Sequence, residues 1–96
     1  MAMDNGFVWD DQKAASNLLK HGVGFERASF AFYDLFAVEI ADRRRDYGEE
    51  RSLLIGQAGG ELLAVAYTER DAKIRIISAR GANSHERQYY QRQNAK

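Results

Sequence analysis

Short apolar segments separated by glycine or charged residues fill the middle of the chain. Their length and alternation are typical of β-strands. Gly59 and Gly60 lie between two of these segments, where a tight hairpin turn requires positive φ. The pattern predicts five strands, over residues 7–9, 35–41, 51–56, 62–68 and 73–79.

Two helices are predicted after the first strand. The first covers residues 11–21, with Asp10 able to cap its start and Gly22 placed to end it. Its predicted apolar stripe is Ala14, Leu18 and either Ala15 or Leu19. The second begins at Gly24 and ends near Tyr33. Four aromatic residues of this region are expected in the core: Trp9, Phe25, Phe30 and Phe32.

A third helix is predicted at the end of the chain. Asn83 and Glu86 have the spacing of a capping box, and either Tyr89 or Tyr90 is expected to anchor the helix to the sheet. The order β-α-α-β-β-β-β-α predicts one α+β domain over residues 1–96 with a mainly antiparallel sheet. Residues 1–5 and 93–96 are expected to fray.

Composition narrows the chemistry. The chain has 96 residues and no cysteine, which excludes a disulfide framework and a thiolate metal site. No metal or nucleotide motif is present, so no cofactor is expected. No segment resembles a membrane span or a signal peptide, so the expected location is cytoplasmic, away from membranes.

Charge is unevenly distributed along a chain of zero net charge. Residues 1–70 carry 8 basic and 12 acidic side chains, whereas residues 71–96 carry 6 and 2. The strand ends near Arg70, Arg75 and Arg80 are rich in guanidinium groups, which suit phosphate oxygens. This placement indicates a nucleic-acid-directed function, with a solvated terminal helix as the alternative.

Several short motifs, in order from residue 7 to about residue 90, resemble the pattern of BrnT-type toxins. They are Phe7-Val8-Trp9-Asp10, Lys13-Ala14, Asn17, Lys20-His21-Gly22-Val23, Phe25-Glu26, Glu49-Glu50-Arg51, Ile55-Gly56, Thr68-Glu69-Arg70, Arg75-Ile76-Ile77-Ser78-Ala79-Arg80, Glu86-Arg87 and Tyr90. The resemblance implies a RelE-like fold and an endoribonuclease toxin of a type II toxin–antitoxin pair. It implies a BrnA-like, DNA-binding antitoxin, which is expected to be a ribbon-helix-helix protein. The toxin itself would then contact DNA only indirectly, through this antitoxin. Gly24, Gly81 and Asn83 depart from the family's pattern.

Metal-free RNA cleavage requires a base for the 2′-OH, cations for the phosphorane charge and an acid for the leaving oxygen. His21 or Glu69 could transfer the protons, with Arg51, Arg70 and Arg80 on the phosphate. Alternatively, His21 only ends the first helix, and Glu69 only pairs with an arginine.

Further residues are candidates for RNA contact: Lys13, Lys20, Arg75, Arg87 and Tyr90. Strand alternation places Ile74, Ile76, Ser78 and Arg80 on one face, with Arg75, Ile77 and Ala79 on the other. Arg75 and Arg80 are therefore predicted to face apart unless a bulge intervenes. His85 and the run from Arg43 to Arg45 are expected to be solvated surface.

Two other functions stay open at this stage. The chain could be a non-catalytic nucleic-acid-binding regulator, which zero net charge and the departures at Gly24, Gly81 and Asn83 favour. It could also be a module that binds only the antitoxin. The sequence leaves open whether it forms a homodimer.

Overall fold

The structure is a computed structural model that describes residues 2–4, 6–42 and 48–95. Within these residues the helices are α1 (Asp11–His21), α2 (Phe25–Phe30) and α3 (Ser84–Asn94), with a 3-10 turn at Ala31–Tyr33. The strands are β1 (Ala2–Asp4), β2 (Phe7–Trp9), β3 (Val38–Ala41), β4 (Ser52–Ala58), β5 (Glu61–Arg70) and β6 (Lys73–Gly81). The predicted run from Arg43 to Arg45 lies outside the described residues.

The strands form one sheet in the order β1-β2-β6-β5-β4-β3. The β2–β6 pair is parallel and the other neighbouring pairs are antiparallel. The predicted α+β class and the element order from Phe7 onward are confirmed. The strand at Ala2–Asp4 was not predicted, since these residues were expected to fray.

Several predicted boundaries differ from the structure. The predicted strand over residues 35–41 is ordered as a strand only at Val38–Ala41, because Leu35 and Phe36 form a turn. β4, β5 and β6 each extend beyond the predicted ends by pairing with their neighbours. The predicted capping box of α3 is confirmed: Asn83 accepts from the Glu86 amide, and Glu86 accepts from the Asn83 amide.

One face of the sheet, the helical face, is covered by α1 and α2. Its core includes Phe7, Trp9, Phe25 and Tyr67, and Phe32 packs against it. The ring of Phe32 meets the rings of Phe7 and Tyr67 edge-on, with centroids 5.2 and 4.9 Å away. A smaller core on the opposite face joins Ile55, Leu62, Ala64 and Ala82 to Tyr90 of α3.

The predicted apolar stripe of α1 is wrong at its leucines. Leu18 and Leu19 are 54% and 90% exposed, and Ala15 is also exposed. α1 instead faces the sheet through Ala14 and the buried Asn17, because it lies beside the edge of β6.

The predicted core aromatics include one error. Trp9 and Phe25 are buried and Phe32 is partly buried, whereas Phe30 is 54% exposed. Phe30 ends α2, just before the 3-10 turn directs the chain to Leu35 and Phe36, which are also exposed. Helical spacing groups Phe25 with Ala28 and Phe32 and places Phe30 on another side of the helix, so the expectation for Phe30 went against that spacing.

Candidate active site

The sheet face opposite α1 and α2 carries four arginines, and we call it the arginine face. Arg70 of β5, Arg75 and Arg80 of β6, and Arg51 before β4 lie there with Thr68. The register places them, because directly paired residues share a face: Thr68 pairs with Arg75, and Ala64 with Arg80. α3 covers the rest of this face.

A β-bulge explains why Arg75 and Arg80 share a face. Ala66 pairs with Ser78, but Tyr67 pairs with Ile76, so Ile77 is an extra residue in β6. Such a residue reverses the alternation of side chains beyond it. The predicted assignment of β6 side chains to two faces is therefore wrong for the residues after Ile77. The prediction allowed for a bulge that would bring Arg75 and Arg80 onto one face, and this bulge is present.

Glu49 connects two of these arginines. Its Oε1 lies 2.9 Å from Nη2 of Arg70 and its Oε2 lies 3.4 Å from Nε of Arg51. The Thr68 hydroxyl donates to the Glu50 carbonyl at 2.7 Å, which fastens this connector to β5. Glu49 thus reduces the positive charge at the strand ends. The Glu49–Arg51 pair could have been expected from the sequence, because an acidic residue stands two positions before Arg51.

Arg80 is held by a different carboxylate. Its Nη1 and Nη2 donate to Oε1 and Oε2 of Glu86 at 2.8 and 2.9 Å, a bidentate pair that fixes the guanidinium plane. The Glu86 side chain is only 11% exposed. Glu86 therefore serves both the capping box and Arg80, and sequence analysis recognised only the first role.

Arg75 lies near the start of α1. It pairs with Val8 of β2. The pKa of Asp10 is lowered mainly by hydrogen bonds from the amides of Lys13 and Gln12, and to a smaller extent by the positive charges of Lys13 and Arg75. Arg75 forms no ion pair with any residue that the structure describes. Within the described residues, Arg75 is therefore the arginine of this face that has no carboxylate at ion-pair distance.

His21 is an exposed residue in the last turn of α1, where Gly22 ends the helix with φ 72°. One turn earlier, Asn17 donates through Nδ2 to the carbonyls of Val23 and Ala79, both at 2.8 Å. Its Oδ1 accepts from the Ala79 amide at 3.1 Å. These bonds place the end of α1 beside the residue that precedes Arg80.

The remaining predicted site residues are dispersed. Glu69 is exposed on the helical face, opposite the arginines, and the described carboxylate partner of Arg51 and Arg70 is Glu49 instead. Lys13 and Lys20 are exposed on α1, and Arg87 and His85 are exposed on α3. His85 was expected to be surface, which is confirmed.

Tyr90 anchors α3, as one of the two tyrosines was predicted to do. Its hydroxyl donates to Oδ2 of Asp34 at 2.7 Å, and burial together with this bond raises the pKa of Tyr90 to about 12. Among the described residues, no group of three histidine, aspartate or glutamate side chains is arranged to hold a metal ion. No helix within them is long and apolar enough to cross a bilayer.

The class of protein at the level of the fold is a small α+β domain whose sheet carries four arginines on the face opposite α1 and α2. A comparison with protein families identifies the particular class. Residues 9–86 match the family described as the ribonuclease toxin BrnT of type II toxin–antitoxin systems, and the chain belongs to this family. Membership implies an antitoxin partner. A comparison with curated proteins finds no match.

Proposed function

We propose that the protein is an endoribonuclease toxin that cleaves RNA by attack of the substrate's own 2′-OH, without a metal ion. The observation that supports this most is the bulge at Ile77, which brings Arg75 and Arg80 onto the face that carries Arg51 and Arg70. Guanidinium groups spread along one face can bind successive RNA phosphates, and one of them can stabilise the charge that develops on the cleaved phosphate.

Within this proposal, the residues have distinct roles. Arg75, Arg51 and Arg70 bind phosphate, and Lys13, Lys20 and Arg87 contribute longer-range attraction. Arg80 contacts the reacting phosphate in the orientation that Glu86 imposes. His21 transfers a proton, because histidine is the side chain that most often serves as a general acid or base. Glu69 is the second candidate for proton transfer, although it lies across the sheet.

Cleavage of RNA in the presence of EDTA tests the proposal. The purified chain should cut single-stranded RNA, while a substrate with 2′-deoxy positions stays intact. His21→Ala should lower the rate by about 10²–10⁴-fold. Continued cleavage of the 2′-deoxy substrate, or loss of all activity in EDTA, would contradict the mechanism.

Arg75→Ala tests the arginine face. It should weaken RNA binding and lower the slope of log affinity against log salt by about 1, the change expected for one phosphate contact. Arg27→Ala is the matched control. Nη2 of Arg27 lies 2.6 Å from Oε1 of Glu61, and this ion pair is on the helical face rather than the arginine face. Equal effects of the two variants would remove Arg75 from the site.

We also propose that a DNA-binding antitoxin of the ribbon-helix-helix class neutralises this activity. Exposed apolar side chains at Phe30, Tyr33, Leu35 and Phe36 support a protein partner, since large exposed apolar groups mark interaction surfaces when they cluster. Expression with the protein encoded by the adjacent reading frame should relieve growth arrest. Unchanged arrest would exclude that neighbour as the antitoxin.

A second candidate function is non-catalytic RNA binding. The positions of both proposed proton-transfer groups favour it, because Glu69 lies on the helical face and His21 lies on α1, which covers that face, whereas the arginines lie on the opposite face. Gel shifts of RNA with no cleavage products over a long incubation would support this function over the first.

A further inference from the structure

We propose that Asn17 is a positioning residue that fixes the backbone segments of His21 and Arg80 relative to each other. This inference rests on the proposed nuclease function and deepens it. Asn17 itself is only 6% exposed, so it cannot contact RNA in this structure. It acts through the backbone groups that its amide holds.

The edge of β6 provides the first part of the argument. β2 pairs with β6 at Ile74 and Arg75, and the Gly6 carbonyl accepts from the Ile74 amide. Farther along, the amide of Asn17 hydrogen-bonds both the N–H and the carbonyl of Ala79. Asn17 therefore satisfies two backbone groups that a neighbouring strand would otherwise pair.

The bulge makes this contact important for the site. Arg80 reaches the arginine face only because Ile77 is an extra residue in β6. A bulged segment has lost part of its regular pairing, so its alignment depends on neighbouring contacts. Asn17 binds Ala79, two residues beyond the bulge and one before Arg80, and so stabilises the alignment that exposes Arg80.

The side-chain amide of Asn17 also holds the segment that contains His21. Asn17 and Val23 bracket His21, and Nδ2 of Asn17 bonds the Val23 carbonyl at 2.8 Å. One side chain thus ties the chain before His21, the chain after it, and the residue adjacent to Arg80. Small errors in the placement of reacting groups lower rates strongly, by as much as about 10²-fold for 1 Å.

The test measures kcat per folded molecule for Asn17→Ala, with Ser16→Ala as the matched control on the exposed side of α1. The folded fraction comes from circular dichroism. We expect kcat to fall at least tenfold for Asn17→Ala, while the dissociation constant of an uncleavable 2′-deoxy substrate changes less than about twofold. The kcat of Asn17→Ser should lie between those of Asn17→Ala and Ser16→Ala. Asn17→Ser is used in place of Asn17→Ala if that variant does not fold.

A double-mutant cycle separates positioning from simple stabilisation. In a His21→Ala background, Asn17→Ala should lower the residual rate by a clearly smaller factor than in the wild type, because only its effect on Arg80 remains. An equal loss in both backgrounds would overturn the inference, as would normal kcat per folded molecule in Asn17→Ala. If the wild-type chain cuts no RNA at all, the nuclease proposal fails first and this inference falls with it.

Discussion

At the scale of single residues, carboxylates limit the positive charge of the arginine face. Glu49 contacts Arg51 and Arg70, and Glu86 holds Arg80. Arg70 is 62% exposed, so its pair with Glu49 adds little to stability, but the carboxylate still opposes an approaching phosphate. Under the proposed function, the charge of Glu49 therefore affects RNA binding more than folding.

Glu49→Gln should tighten RNA binding at low salt by about two- to fivefold, because it removes one negative charge within a few ångströms of two guanidinium groups. The gain should shrink as salt is raised. Fluorescence anisotropy with a labelled, uncleavable RNA measures the affinity.

Glu61→Gln is the control for Glu49→Gln. Glu61 also pairs with an arginine, Arg27, but at the opposite end of β5 and on the helical face. Its removal should leave RNA affinity unchanged. Weaker binding of Glu49→Gln would mean that Glu49 orients the arginines rather than opposing phosphate.

At the scale of elements, the turn between β5 and β6 has an unfavourable backbone. Asp71 and Ala72 have φ of 54° and 63°, the left-handed conformation of a two-residue hairpin turn. An alanine in this conformation costs about 1–2 kcal/mol, whereas glycine adopts it freely. Gly59 and Gly60 occupy the corresponding positions of the β4–β5 hairpin.

Ala72→Gly should therefore raise the free energy of unfolding by about 0.5–1 kcal/mol, measured by urea denaturation. Ala15→Gly is the matched control, because Ala15 is exposed in α1 and should lose about 1 kcal/mol on the same change. Destabilisation by both substitutions would show that the turn carries no strain.

Gly56 of β4 marks the closest approach between the sheet and the 3-10 turn. A Cβ at Gly56 would lie 2.5 Å from the Ala31 carbonyl oxygen. Gly56→Ala should lower the free energy of unfolding by about 1–3 kcal/mol, as overpacking does. Gly24→Ser is the contrasting variant, because Gly24 has open space and is the N-cap of α2, where serine should stabilise by a few tenths of a kcal/mol. Thermal unfolding of both variants provides the comparison.

Sequence pattern predicted the elements that have strong local signals. The caps at Asp10, Gly22 and Asn83 and the turn at Gly59 and Gly60 were predicted correctly, since each depends on neighbouring residues alone. The bulge at Ile77 depends on pairing between strands, which the spacing within β6 does not encode. For this reason the shared face of Arg75 and Arg80 was found only in the structure.

The errors in α1 and α2 have different causes. Helical periodicity indicates that one side of α1 is buried, but the burial of Asn17 rather than Leu18 depends on the edge of β6 beside it. Phe30 lies on the side of α2 away from Phe25 and Phe32, which helical spacing already indicates. Tertiary position therefore decided the outcome in α1, whereas local spacing decided it in α2.

At the scale of the whole molecule, the Asp34 side chain links the segment after the 3-10 turn to β4 and to α3. Its carboxylate accepts hydrogen bonds from the Gln57 amide of β4 at 2.8 Å, the Phe36 amide at 2.9 Å and the Tyr90 hydroxyl of α3 at 2.7 Å. Partial burial opposes the charged form, but these bonds outweigh burial and hold the pKa of Asp34 below its usual value of 3.8. The carboxylate is therefore more stable in the folded chain than in the unfolded chain.

This difference predicts how stability depends on pH. Because the pKa of Asp34 is lower in the folded state, its contribution is fully present above the unfolded pKa near 3.8 and is lost as pH falls below it. The pKa of Tyr90 is raised from 10.0 to about 12, so its contribution is present below pH 10 and is lost as pH rises toward 12.

Asp34→Asn should lower the free energy of unfolding at pH 7 by about 1–3 kcal/mol, because the amide replaces one of the two acceptor oxygens by a donor and removes the charge that strengthens the remaining bonds. Urea denaturation from pH 2.5 to 12 should also show a weaker dependence on pH at both ends of the range. Tyr90→Phe should flatten mainly the alkaline end and the acid end less, since the amides of Gln57 and Phe36 still hold the carboxylate. An acid limb as steep in Asp34→Asn as in the wild type would show that other carboxylates control acid unfolding.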